Sequence, residues 1–100
     1  MIFGLKKNTI NKIIHIFKQF ANIEEAILYG SRAKKTASHS SDIDITLKGN
    51  NLNLTELNKI SNKLDDLLLP YTIDLSIFNH IDNQSLLDHI NRIGKTIYKK

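Results

Sequence analysis

Two short stretches of this chain alternate apolar and polar residues with a period of two, and an amphipathic helix pattern separates them. Residues 42–48 put Ile43, Ile45 and Leu47 on one side and Asp42, Asp44 and Thr46 on the other. Residues 71–78 repeat the arrangement, with Tyr71, Ile73, Leu75 and Ile77 opposite Thr72, Asp74, Ser76 and Phe78. Between them stand turn residues Gly49, Asn50 and Asn51, then Asn53 as a helix cap with Glu56 three positions on. Leu54, Leu57, Ile60, Leu64, Leu67 and Leu68 form the helix stripe, and Pro70 is expected to stop it. Such a unit must lay its helix on the apolar rows, so the polar rows of both strands face the other way.

The flanking segments extend the alternation. From Asn8, a plausible cap, Ile10, Ile13, Ile14, Phe17 and Phe20 fall at helical spacing, and Asn22 breaks the pattern. Residues 24–29 are a short, mostly apolar run ending at Gly30, expected as a buried strand. Residues 31–35 read as a short helix and residues 36–41 as a polar loop. A last helix is expected over residues 82–93 with Leu86, Leu87, Ile90 and Ile93 inward, Gly94 as its C-terminal stop, and residues 95–98 extended. The order predicts an α/β or α+β sandwich: a small sheet with helices stacked on one face and the other face open, where three Asp would meet if the strands are neighbours.

Length and composition exclude several classes. At 100 residues the chain is expected to be one domain, with one sheet-and-helix core. The absence of Cys removes disulfides and thiolate metal sites. The start lacks the apolar run of a secretion signal and no stretch approaches membrane-spanning length, so a cytoplasmic location is expected without a membrane partner. The net charge of +4 is compatible with a nucleotide, but the basic residues are scattered. That scatter argues against a nucleic-acid partner, which needs a continuous basic groove.

The stretch GSRAKKTASHSSDID, residues 30–44, carries the chemistry. Gly30 lacks a Cβ, so a phosphate can approach its backbone. Ser31 at a helix start adds a hydroxyl to free N–H groups that favour an anion. Arg32, with Lys34 or Lys35, could offset triphosphate charge. Asp42 and Asp44 lie on the same side of a strand with Cα atoms about 6.6 Å apart, a spacing from which their oxygens can converge on a small cation. Mg²⁺ takes one or two carboxylates plus substrate phosphates, and a third carboxylate completes a two-metal site. Asp74 has the parity to supply it. Alone, a Gly-Ser step is a common helix cap and an Asp-x-Asp a common solvated surface; the joint pattern is what points to a nucleotide and metal site. His15, His80 and His89 read as ordinary polar or partly buried residues and His39 as a solvated loop residue.

The GS, ten-residue gap and DxD pattern resembles the signature of the DNA polymerase β superfamily of nucleotidyltransferases. LYGSRAKK…SDIDITL and the closing INRIGKTIY are similar to the minimal nucleotidyltransferase (MNT) proteins, and the likeness covers essentially the whole chain. It implies the polymerase β-like fold, a small mixed sheet with helices packed on one face, as one minimal nucleotidyltransferase domain over residues 1–100. It further implies transfer of AMP from ATP, dependent on two Mg²⁺ ions with Mn²⁺ as a substitute. Gly30 and Ser31 would hold the nucleotide. Asp42 and Asp44 would bind both metals, and Asp74 the catalytic one. Many MNT proteins are antitoxins that attach AMP to a tyrosine of a HEPN-domain ribonuclease toxin. Relatives commonly carry Gly where Lys35 stands, which bears on the path of the loop. So short a chain is expected to need a partner, or a second copy of itself, to complete the acceptor site. The alternative is a catalytically silent nucleotide-binding module that neutralises its partner by steric contact.

Overall fold

The structure, a computed structural model, describes residues 4–33 and 42–100. Helix α1 (Lys7–Phe17) leads into β1 (Glu25–Tyr29); β2 (Ile43–Lys48), α2 (Leu54–Asp65), β3 (Ile73–Ile77), α3 (Gln84–Ile93) and β4 (Lys95–Lys99) follow. One turn of 3₁₀-helix, Phe78–His80, joins β3 to the approach to α3. The strands form one mixed sheet in the order β3-β2-β1-β4. β1 runs antiparallel to β2 and β4, and β2 runs parallel to β3 because α2 carries the chain back across the sheet. None of the described helices is long and apolar enough to cross a membrane.

The apolar rows read from the sequence do pack together. Ile43, Ile45 and Leu47 of β2 join Ala26 and Leu28 of β1 against Ile13, Ile16 and Phe17 of α1 and Ile60 and Leu64 of α2. Asn53 caps α2 by accepting the Glu56 backbone N–H at 2.9 Å. The closing segment is a full edge strand, tied to the first helix through Tyr98, whose ring centre is 6.3 Å from that of Phe17.

Several expectations fail locally, each for a visible reason. α1 starts at Lys7 with Lys6 in the cap position and no side-chain cap, so Asn8 lies inside the helix; burial of Leu5 fixes the entry instead. α2 ends at Asp65, well short of Pro70. Leu68 beyond it takes a left-handed φ of 53° and is 88% exposed, and Leu54 is 62% exposed, so neither belongs to the buried stripe. Ser31, Arg32 and Ala33 form a turn; the remainder of the expected short helix, the 36–41 loop with His39, and Lys35 lie outside the described residues.

The helices are not all on one face. α1 and α2 share the first, but α3 lies against the other, over Ile27 and Tyr29 with Ile90, Leu86, Ile81 and Phe78. β1 is apolar on both sides, so each side needs cover, whereas β2 and β3 turn Asp44 and Asp74 to the second side and leave it open there. Gly94 permits the close approach of α3. Its φ of −58° is ordinary, so it is not a left-handed stop. An added Cβ would press on the Ile90 carbonyl oxygen and stand 2.7 Å from Ile27 Cγ2. Gly94→Ala is therefore expected to cost about 1–3 kcal/mol by overpacking, measurable as a lowered midpoint in chemical denaturation.

Candidate active site

The second face of the sheet is built in rows. Register places Tyr29 beside Asp44 and Asp44 beside Asp74, then Ile27 beside Thr46 and Thr46 beside Ser76. Parallel neighbours lie about 4.8 Å apart, so Asp44 and Asp74 stand side by side, with Asp42 just before the strand and close enough for its charge to act on Asp44. Asp42 and Asp74 are exposed and Asp44 is half-buried. The structure thus brings together the three carboxylates singled out in the sequence.

Gly30 completes the corner. It follows β1 with a φ of +78°, in the left-handed region that favours glycine, and a Cβ there would collide with Asp44 Oδ2. The first Gly of the motif and the second Asp of DxD therefore touch. Gly30 N–H donates to His89 Nε2 at 3.0 Å, so this donor is already used within the chain. Ser31 sits next in the turn, half-buried. Arg32 is buried beneath the turn. It is 1% exposed, its guanidinium carbon lies 4.8 Å from the centre of the Tyr71 ring, and Tyr71 packs with the α1–α2 core. In this structure Arg32 fastens the turn to that core through Tyr71.

Two residues of the site were missed as functional candidates in the sequence. His89 projects from α3 onto the Gly30 amide, and its ring meets Tyr29 edge-on at 6.2 Å. Tyr29 occupies the row of the carboxylates. Burial raises its phenol pKa; the Ser76 hydroxyl opposes that, and the charges of Asp44 and Asp74 add to it. The opposing contact is loose, because Ser76 Oγ, like Thr46 Oγ1, is buried without a formed hydrogen bond. No periodicity signals either residue. Only the packing of α3 on β1 joins them to the motif.

Burial raises the Asp44 pKa, and the charges of Asp74 and then Asp42 push it further. A carboxyl whose folded value lies above its unfolded value binds its proton more tightly when folded. Ionised Asp44 is thus a cost at neutral pH, and the cost disappears as pH falls through the raised range. Asp44→Asn is therefore expected to raise the thermal midpoint at pH 7 in the presence of a chelator. Solvent screening limits the gain to about 1 kcal/mol or less. Thermal scans of both proteins should show the difference shrinking toward about pH 4.

The donor set suits a hard cation, being all carboxylate oxygen, and the mutual repulsion of its members is what such a cation would relieve. Asp42, Asp44 and Asp74 are the residues that would hold it. Among the described residues, no three of His, Cys, Asp or Glu are already gathered tightly enough to hold a metal, so the carboxylates share a face without converging on a point. A cleft of about 870 Å³ opens at the other end of the sheet. Three of its polar side chains are engaged within the chain: Glu24 accepts the Asn50 N–H, Lys100 donates to the Ala21 carbonyl and Lys48 covers the Phe78 ring. The carboxylate face is the stronger candidate.

The fold has counterparts. The sequence pattern described as "Polymerase beta, Nucleotidyltransferase" matches residues 11–100. The chain belongs to the polymerase beta nucleotidyltransferase family. No curated protein sequence matches significantly. Among solved structures, the fold is similar to a chain of a toxin–antitoxin complex with AMP-PNP, at TM-score 0.72 and 23% identity, covering 96% of this chain and 75% of that one. It is similar to a chain of the tri-AMPylated HEPN toxin of Shewanella oneidensis in complex with MNT antitoxin, at TM-score 0.71 and 20% identity over 96% and 74%. A chain of a mutant MntA–HpeT toxin–antitoxin complex gives TM-score 0.71 and 21% identity over 96% and 75%. At these identities the likeness is one of fold.

Proposed function

We propose that this chain is a metal-dependent nucleotidyltransferase that moves AMP from ATP to a hydroxyl, the phenol of a tyrosine on a HEPN-domain toxin, and so acts as an antitoxin. The observation that carries the reading is the side-by-side placement of Asp44 and Asp74 on parallel strands, with Asp42 ahead of them and Gly30 packed on Asp44. The fold likeness to chains of MNT–HEPN complexes, one of them with AMP-PNP, supports the choice of partner and nucleotide.

Bound Mg²⁺, two ions with Mn²⁺ as a substitute, would supply charge neutralisation at the triphosphate and at the attacking oxygen. Asp42 and Asp44 hold the donor oxygens on the sheet face, and Ser31 flanks the triphosphate at the turn. Asp74 lies on β3, an edge strand, where an acceptor from another chain can reach it. There it orients the acceptor hydroxyl and takes its proton on the carboxylate. The acceptor oxygen bonds to the α-phosphorus as the bond to the bridging oxygen breaks and pyrophosphate leaves.

Incubation of this chain with α-labelled ATP, Mg²⁺ and the HEPN-type protein encoded beside it tests the reading. Label on a partner tyrosine is expected. The alternative, a silent nucleotide-binding module acting by steric contact, has in its favour that the carboxylates do not converge as they stand. It predicts a silenced partner that carries no label.

A further inference from the structure

We propose that His89 is a positioning residue of the nucleotide site, an inference that rests on the function proposed above. Three observations converge on it. The Gly30 N–H donates to His89 Nε2 at 3.0 Å across 59 positions of sequence. Gly30 takes a φ of +78° and leaves no room for a Cβ beside Asp44 Oδ2. The His89 ring is braced edge-on against Tyr29, 6.2 Å away at an interplanar angle of 76°, and Tyr29 is the register partner of Asp44. One helix of the second face thus grips the backbone at the point where β1 turns into the phosphate loop.

The consequence is specific. A nitrogen that accepts this hydrogen bond carries no proton, so His89 offers the corner an acceptor and the Gly30 amide is withdrawn from any phosphate. Phosphate recognition then falls to Ser31, while Gly30 supplies the space in which Asp44 stands. His89 acts through Gly30 and touches neither nucleotide nor acceptor. Without the acceptor, the Gly30 N–H is left under α3 with no partner inside the chain, and the turn has no reason to hold its left-handed geometry.

The test compares two substitutions that separate ring from acceptor. His89→Phe keeps the packing on Tyr29 and removes the acceptor; His89→Gln keeps an acceptor oxygen and removes the ring. His89→Leu replaces Phe in the comparison if the larger ring disturbs folding. Two quantities are read on the folded chain: hydrogen exchange of the Gly30 amide by NMR, and binding of AMP-PNP with Mg²⁺ by calorimetry. In His89→Phe, exchange is expected to rise about tenfold and affinity to fall about tenfold, the effect of one lost hydrogen bond. In His89→Gln both should stay within about threefold of the parent. Unchanged exchange in His89→Phe, a His89→Gln as impaired as His89→Phe, or faster exchange with unaltered affinity would each overturn the proposal. Should the parent itself fail to bind AMP-PNP, the proposed function falls, and the exchange comparison alone decides whether His89 holds the corner.

Discussion

Asp42→Asn combined with Asp44→Asn is expected to lower AMP transfer by more than about a thousandfold while the fold persists. Phosphoryl transfer leaves the protein little covalent work, so charge placement carries most of the rate. Asp44 projects from β2 onto the sheet face that α1 and α2 do not cover, Asp42 stands just before that strand, and the loss of both charges leaves the apolar row of β2 intact. Asparagine keeps the shape and deletes the charge. Because ionised Asp44 is a burden on the folded chain, activity and stability should move in opposite directions: the variant loses transfer and melts no lower than its parent. α-Label transfer and thermal denaturation on the same preparations check both halves. Retained labelling in the double variant would remove the carboxylates from the chemistry.

Gly30→Ala should damage stability and activity together. An alanine at a φ of +78° bears a left-handed cost of about 1–2 kcal/mol. Its Cβ would also drive into Asp44 Oδ2, so either the carboxylate rotates or the turn moves. A total loss of about 2–3 kcal/mol is expected in chemical denaturation. Transfer should fall about a hundredfold or more, since displacement of a positioned group by about 1 Å costs that much. The two residues are coupled, which adds a sharper check. In an Asp44→Ala background the collision partner is gone, so Gly30→Ala should cost only its backbone share. Equal costs in both backgrounds would mean that the contact carries no energy.

Much of this was legible in the sequence because period-two alternation fixes which side chains share a face. Asp44 and Asp74 occupy the same parity in two strands, and α2 between them makes those strands parallel neighbours, so their meeting follows once the helix takes the apolar side. The C-terminal strand and the Asn53 cap followed from similarly local rules. What escaped was long-range. His89 lies on a helix with no ligand spacing around it, and only the crossing of α3 over β1 brings its imidazole to Gly30. That crossing was itself hidden, because Ile27 and Tyr29 read as part of a uniformly apolar strand that gives no sign of which element covers each side. The seat of Arg32 was hidden as well. A cation beside a Gly-Ser step suggests a phosphate, but the Tyr71 ring offers it a buried seat on the α1–α2 side. Leu68 satisfies the helical stripe, yet the chain leaves the helix before reaching it.

The central claim is that Asp42, Asp44 and Asp74 bind a nucleotide triphosphate through divalent metal. Calorimetric titration of the chain with AMP-PNP, in Mg²⁺ and again in excess chelator, tests it most directly. Binding in Mg²⁺ that vanishes with chelator, and that Asp44→Asn with Asp74→Asn abolishes, is the predicted result. Equal binding with and without metal, or binding that survives loss of both carboxylates, would contradict it.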